Sequence, residues 1–393
     1  MKTLTRTIWI LSLVSLFTDL ASEMLYPVMP IYLKHIGFSV VLIGVLEGVA
    51  EATAGLSKGY FGKQSDLAGK RVPFVRLGYA LSAISKPMLA LFTNAYWIFL
   101  ARTTDRLGKG IRTGARDALL SDETTAKKKG RVFGFHRSMD TLGAVLGPAA
   151  ALVYLYYYPE QYRTLFLIAF VPGLLAILLT WLLKDKPVAP RVRSVAPFWA
   201  FLGYWKNSPL PYRYLTGGLL FFALFNSSDV FLLLKLKESG MSDTWLIGIY
   251  IFYNLVYALC SYPLGILADK VGLKPVFLGG LLLFAVVYAG MAWSSDVAVF
   301  GLLFLLYGMY AAATEGIAKA WITNIARRED TATAIGTYTA FQSICTLLAS
   351  SLTGYIWYAF GAPAAFITSA AAALVVLLFL FRYSSDSHQQ EVA

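Results

Sequence analysis

Gly62-Lys-Gln-Ser-Asp66-Leu-Ala-Gly69-Lys70-Arg71 and Gly265-Ile-Leu-Ala-Asp269-Lys270-Val-Gly272-Leu-Lys274 are one short pattern written twice. In each copy a glycine is followed four residues later by an aspartate and three residues after that by a second glycine, with basic residues alongside. Each copy closes an apolar run that opens on Leu-Ile-Gly, at Leu42-Ile43-Gly44 and at Leu246-Ile247-Gly248. Gly44 to Gly62 is 18 residues and Gly248 to Gly265 is 17. Further on, Gly110-Ile111 and Gly316-Ile317 are each followed 20 residues later by another glycine, Gly130 and Gly336. Agreement at several spacings marks an internal repeat. Two repeated helical halves enclosing a central site are a transporter plan.

The composition says where such halves reside. Of 393 residues, 58% are apolar and 14% are charged, and mean hydropathy is +0.61. A soluble chain carries about a quarter charged residues, so a soluble enzyme is excluded. A bilayer-spanning helix needs about 20 mostly apolar residues. Twelve spans are expected, at 8–34, 39–62, 73–93, 95–120, 130–157, 163–184, 213–237, 243–268, 274–294, 297–325, 331–359 and 363–382. The runs lack the period-two alternation of a membrane barrel. The first is too long for a cleaved signal peptide and has no small-x-small cleavage site. Pro27 and Pro30 predict a kink in it.

Lys and Arg orient the chain. One set of connections holds twenty of them, including Lys63, Lys70, Arg71, Lys127, Arg131, Lys270 and Arg328. The other set holds four: Lys34, Arg163, Lys235 and Lys237. Both termini are therefore expected in the cytosol. The net charge of +12 reads as topology, and nucleic acid is not an expected partner. Cys260 and Cys345 lie in apolar runs, which predicts neither a disulfide framework nor a cysteine metal site. The expected domains are a six-helix bundle at 1–185, a cytosolic linker with a short amphipathic helix at 186–212, and a second bundle with a short tail at 213–393.

The paired loop motif resembles that of the major facilitator superfamily, and the resemblance runs over essentially the whole chain. Gly134, then Gly143-Ala-Val-Leu-Gly147-Pro148, is similar to the superfamily's antiporter signature, which is typical of exporters; Ala149–Ala151 stand where glycines are usual. Arg102-Thr-Thr-Asp105-Arg106-Leu-Gly108-Lys-Gly110 departs from the Arg-x-x-Gln-Gly-x-Gly pattern of span four, keeping only the Arg and the later glycine. Phe17–Met24, Leu46–Glu51, Asp105–Arg112 and Phe133–Asp140 are similar to a bacterial subgroup. The resemblance implies fold and transport and leaves the cargo open. It also implies that Gly62, Asp66, Gly69, Lys70 and Arg71, with Gly265 and Asp269, lock the halves together on the cytosolic side. Asp117 is the expected partner of Arg71. Arg112 lies near the same end. Gly143 and Gly147 form a small-xxx-small pair for close helix approach, and Pro148 offers a bend.

Ionisable residues inside a span cost kilocalories unless paired or hydrated, so they face the bundle interior. Asp19 and Glu23 share a face of span one, and Glu47 and Glu51 a face of span two. Arg102, Arg106, Lys109, Arg112 and Arg116 form one cationic stripe in span four, with Asp105 within reach of Arg102 and Lys109. His136, Arg137 and Asp140 lie together in span five. The second half keeps Asp229, Glu315 and Lys319. A carboxylate in low dielectric exchanges its proton nearer neutral pH than one in water. Asp19, Glu23, Glu51 and Asp140 are the expected proton-coupling residues. Arg102, Asp105, Arg106, Lys109, His136, Asn226, Asp229, Tyr253, Asn254, Tyr257, Glu315 and Gln342 are the expected cargo contacts. For these charges, permanent ion pairs between helices are the competing reading.

Gly108-Lys109-Gly110 is no phosphate loop, because position 103 is Thr where Gly is required. No cofactor and no metal are expected. The expected protein is an all-α, twelve-helix monomer in a bacterial inner membrane, with lipid, a small organic cargo and protons as its partners. Proton-coupled export by antiport leads; uptake of an organic anion with protons is the alternative. A receptor or lipid-moving protein on the same fold is a third reading, and the buried carboxylates argue against it.

Overall fold

The computed structural model describes residues 4–185, 197–227 and 229–382. Most of the expected linker and the tail beyond 382 lie outside the described residues. The helices are α1 (Arg6–Glu23), α2 (Met29–His35), α3 (Val40–Ala68), α4 (Val72–Leu91), α5 (Ala95–Asp122), α6 (Lys129–Tyr157), α7 (Tyr162–Thr180), α8 (Leu202–Asn207), α9 (Leu210–Ala223), α10 (Val230–Glu238), α11 (Asp243–Val271), α12 (Leu273–Trp293), α13 (Val297–Ile325), α14 (Thr331–Phe360) and α15 (Ala362–Arg382). No strand occurs among the described residues. With α1–α2 and α9–α10 each taken as one broken element, and α8 set aside, twelve elements run through the molecule.

Seven helical stretches are long and apolar enough to cross a membrane on length and composition. α5 falls short because it carries interior charges, from Arg102 to Asp117. Several helices start on side-chain caps. Thr5 accepts from the Ile8 N–H, Ser39 from Leu42, Asn94 from Trp97, and Asp296 from Ala298 and Val299, each relieving donors that the first turn leaves orphaned. Gly69 ends α3 at φ +60, the left-handed cap that glycine adopts freely.

Each first element of a half is broken, which the sequence reading put as a kink in one case and missed in the other. Pro27 has no N–H for the Glu23 carbonyl and its ring clashes there, so α1 stops at Glu23 and α2 resumes at Met29. Between α9 and α10 no proline intervenes. Asn226, Ser227 and Asp229 stand there instead, and such side chains compete with the backbone for helical hydrogen bonds.

Within the first half α1 packs on α6 and α7, and α5 on α3 and α4; within the second, α13 packs on α11 and α12, and α12 on α15. The halves meet where α3 packs on α14 and α6 on α11. A short 3-10 turn at Phe198–Phe201 and α8 lie against α3 and α14, where the Phe201 carbonyl accepts from the Thr337 hydroxyl. Outer faces present Leu167, Val171 and Leu178 on α7, and Leu374 and Leu378 on α15, an apolar belt that lipid covers.

Candidate functional site

One end of the molecule is sealed by the paired loop motifs. Asp66, in the last turn of α3, turns its carboxylate onto the first turn of α14. It accepts from the Thr333 N–H and hydroxyl, both at 2.6 Å, and from the Ala332 N–H at 3.3 Å. A carboxylate there satisfies orphan donors and meets the positive end of the helix dipole. Arg71 closes on Asp66 at 2.7 Å, on Asp122 at 3.1 Å and on the Arg328 carbonyl at 3.2 Å. The second copy repeats the device with the halves exchanged. Asp269, at the end of α11, accepts from the backbone N–H of Arg131 at 3.2 Å and from its Nε at 2.6 Å, in the first turn of α6. Backbones touch where these helices cross. A Cβ on Gly62 would strike the Ala332 carbonyl, and one on Gly265 the Gly130 carbonyl. Lys70 stays exposed, and its carbonyl lies 3.5 Å from the Ser65 hydroxyl.

Asp117 is not the partner of Arg71. It pairs with Arg116 and, across the halves, with Lys319, both at 2.9 Å. Asp122 takes the expected place because it lies about one and a half turns further along α5, at the helix end that Arg71 faces.

Above this seal the first half holds a charged interior. Asp19 on α1 and Asp140 on α6 stand close enough for their carboxyls to act on each other. Gly143 and Gly147 make the contact possible, since a Cβ on either would collide with the α1 backbone at Leu16, Leu20 or Met24. α6 continues unbroken through Pro148. Asp140 also accepts from the Ser15 hydroxyl and pairs with Arg137 at 2.7 Å. Arg137 extends to the other half, pairing with Glu315 at 3.1 Å and donating to the Tyr257 hydroxyl. His136 is buried, with Nδ1 3.5 Å from the Ser12 hydroxyl.

The cationic stripe of α5 is not free. Arg102 pairs with Glu47 at 2.5 Å and Arg106 with Glu51 at 3.1 Å. Arg112 turns to α4, donating to Ser82 and standing over the Tyr79 ring at 4.5 Å. Asp105 also faces α4 and not Arg102 or Lys109: it pairs with Lys86 at 2.7 Å, and Lys86 donates to the Ser22 hydroxyl at 3.1 Å. The reason is register, because Asp105 lies a quarter-turn or so off the stripe and Lys86 is buried directly opposite. Lys109 is exposed; its carbonyl accepts from the Thr113 hydroxyl at 2.6 Å, and its ammonium has no ion pair among the described residues. Lys58 reaches across to the Ser343 hydroxyl at 3.3 Å. Glu23 has no ion pair among the described residues.

The second half presents an aromatic wall. Asp229, at the break before α10, accepts from the Tyr307 hydroxyl at 2.6 Å. Asn226 donates to the Tyr310 hydroxyl at 3.1 Å. Asn254 donates to the Tyr250 carbonyl at 3.0 Å. Tyr253 stacks on Tyr257 and on Tyr307, with centroids 6.2 and 5.0 Å apart. Phe221 points outward and Phe222 into the bundle core. Gln342 is half-buried, with no partner among the described residues. Lys86, Tyr307 and Tyr310 join the site without having been singled out in the sequence.

Comparison with known proteins fits this architecture. The sequence profile of the Major Facilitator Superfamily matches residues 11–253 and 244–392. An uncharacterized MFS-type transporter of Methanocaldococcus jannaschii is 32% identical over 362 residues, covering 91% of this chain and 89% of that one. The quinolone resistance protein NorA of Staphylococcus aureus is 24% identical over 161 residues, 41% of this chain and 40% of its own. Among solved structures, the human organic anion transporter MFSD10 superposes with a TM-score of 0.81 at 19% identity, covering 95% of this chain and 99% of that one. The E. coli fucose:proton symporter FucP gives 0.79 at 14%, covering 96% and 98%. The chain belongs to the major facilitator superfamily of membrane transporters.

Proposed function

We propose that this transporter is proton-coupled, and that it exports a small amphipathic organic solute by antiport as its two halves, 1–185 and 213–393, rock about the central cavity. The observation that carries the reading is the path Asp19–Asp140–Arg137–Glu315. Two neighbouring carboxyls of one half, where a proton can be taken up, sit next to the arginine that holds the other half. Adding or removing that proton changes how strongly Asp140 competes with Glu315 and Tyr257 for Arg137. Protonation and the inter-half bridge are thereby linked. The crossed caps at Asp66 and Asp269 hold the loop-motif end shut. With that end and both termini in the cytosol of a bacterial inner membrane, the state described is outward-facing. Glu51, already bound to Arg106, is a weaker coupling candidate than Asp19 and Asp140. The monomer contains both halves of the path and needs no second copy.

Coupled uptake of an organic anion is the second reading, favoured by Lys109 and Lys58 at the cavity. Purified protein in liposomes, under an imposed pH gradient, should show cargo-dependent proton flux. Asp140→Asn should abolish gradient-driven flux and spare cargo exchange. Normal driven flux in that variant would remove Asp140 from the coupling path, and inverted cargo dependence on the gradient would favour uptake.

A further inference from the structure

The interior cations are largely matched by carboxylates: Arg102 and Arg106 by Glu47 and Glu51, Arg137 by Asp140 and, across the halves, Glu315, and Arg116 and the second half's Lys319 by Asp117. The carboxylate of Asp229 has no such match among the described residues. Its neighbours are phenols: the Tyr307 hydroxyl donates to it at 2.6 Å, and the Tyr253 ring stands against that of Tyr307. The hydroxyl orients the carboxylate and brings no charge. The two ring centroids are 5.0 Å apart. The nearby Asn226 Oδ1 is buried without a donor among the described residues, although its Nδ2 is bonded to Tyr310. Asp229 itself keeps exposed surface. Glu23, also without an ion pair among the described residues, stands at the equivalent break of the first half, and both carboxylates act electrostatically on Tyr250.

An uncompensated carboxylate, a donor-less carbonyl and tyrosine faces together fit one chemical group. It must carry positive charge, donate N–H and tolerate aromatic contact. We infer that the break between α9 and α10 is the subsite for a protonated amine on the cargo, with Asp229 as its counter-ion, Asn226 Oδ1 as a hydrogen-bond acceptor, and Tyr253 and Tyr307 as its walls. The cargo is then an organic ammonium, or a zwitterion whose anionic end reaches Lys109. This rests on the transporter reading above and does not depend on proton coupling.

The test uses one skeleton with three charges: 4-phenylbutylammonium, 4-phenylbutanol and 4-phenylbutanoate, titrated calorimetrically into the full chain in lipid nanodiscs. The ammonium should bind saturably and at least about ten-fold more tightly than the alcohol. Asp229→Asn should erase that preference. Tyr307→Phe, which keeps the ring and loses the hydroxyl, should weaken ammonium binding several-fold with an unchanged melting temperature, so a misfolded aspartate variant does not decide the matter. Equal binding of ammonium and alcohol, tighter binding of the butanoate, or an unaltered preference in a folded Asp229→Asn protein would overturn the assignment. Ammonium binding that survives in Asp140→Asn while driven flux does not supports both readings. Ammonium binding in a protein that never moves protons would leave this subsite standing and remove the coupling.

Discussion

Lys86 and Asp105 form a buried pair, with side chains 3% and 14% exposed at 2.7 Å. Removing one partner strands the other's charge, at a cost of about 3–5 kcal/mol. Lys86→Ala should therefore lower the melting temperature sharply in a detergent melt, and the double variant Lys86→Met/Asp105→Leu should recover much of the loss. A Lys86→Ala protein as stable as its parent would show that the pair is hydrated. Arg137 makes a different kind of contact. Its fork serves Asp140, Glu315 and Tyr257 at once, which a lysine's point charge cannot reproduce. Arg137→Lys should forfeit about 1.5–3 kcal/mol of charged hydrogen bonding, read as a fall of an order of magnitude or more in gradient-driven flux with little change in melting temperature. These pairings also mark the limit of the sequence. Asp19 and Asp140 stood out because carboxylates in an apolar run need a reason. Lys86 did not, since its partner comes from a neighbouring helix whose rotation no periodicity fixes. Tyr307 and Tyr310 did not stand out either, because a tyrosine in an apolar run carries no mark of what its hydroxyl touches.

Helix approach is set by glycine at a few crossings. Gly147→Leu would drive a side chain into the α1 backbone at Leu20 and Met24, and overpacking of that kind costs about 1–3 kcal/mol. Gly48→Leu is the control, because nothing lies within 4 Å of a Cβ built there. The first should melt several degrees lower and the second should match the parent; equal melting would mean that α1 and α6 can separate freely. The spacing of Gly62, Asp66, Gly265 and Asp269 made the repeat legible, since a motif written twice at matched distances survives any ignorance of packing. The two breaks were less legible. Pro27 signals one, and for the other only Asn226, Ser227 and Asp229 hint that a helix yields there. The charged element α5 shows the same conflict in reverse, because residues that serve the interior lower the very apolarity by which a span is recognised.

At the scale of the molecule, the halves touch from the loop-motif end up to Gly55 and Ser343 on α3 and α14, while the Glu51 side chain above them is 58% exposed. In a Cys260→Ser/Cys345→Ser background, a cysteine at Glu51 should react with an impermeant maleimide added opposite the loop-motif end, and a cysteine at the fully buried Ser65 should resist it from either side. Reaction at position 65 alone would reverse the assigned state. Asp66→Ala removes a helix cap, a loss of about 0.5–2 kcal/mol, and should expose position 65 to reagent from the loop-motif side.

The two caps are crossed, and that has a kinetic consequence. Each half lends a carboxylate to a helix of the other and borrows one in return. A seam opened at only one crossing would leave one helix end bare while the other remained tethered, so half-open forms are penalised on both counts. Opening should be switch-like: single-molecule distance measurements across the seam should give two populations exchanging with one rate, and a continuous spread of separations would argue that the crossings yield independently.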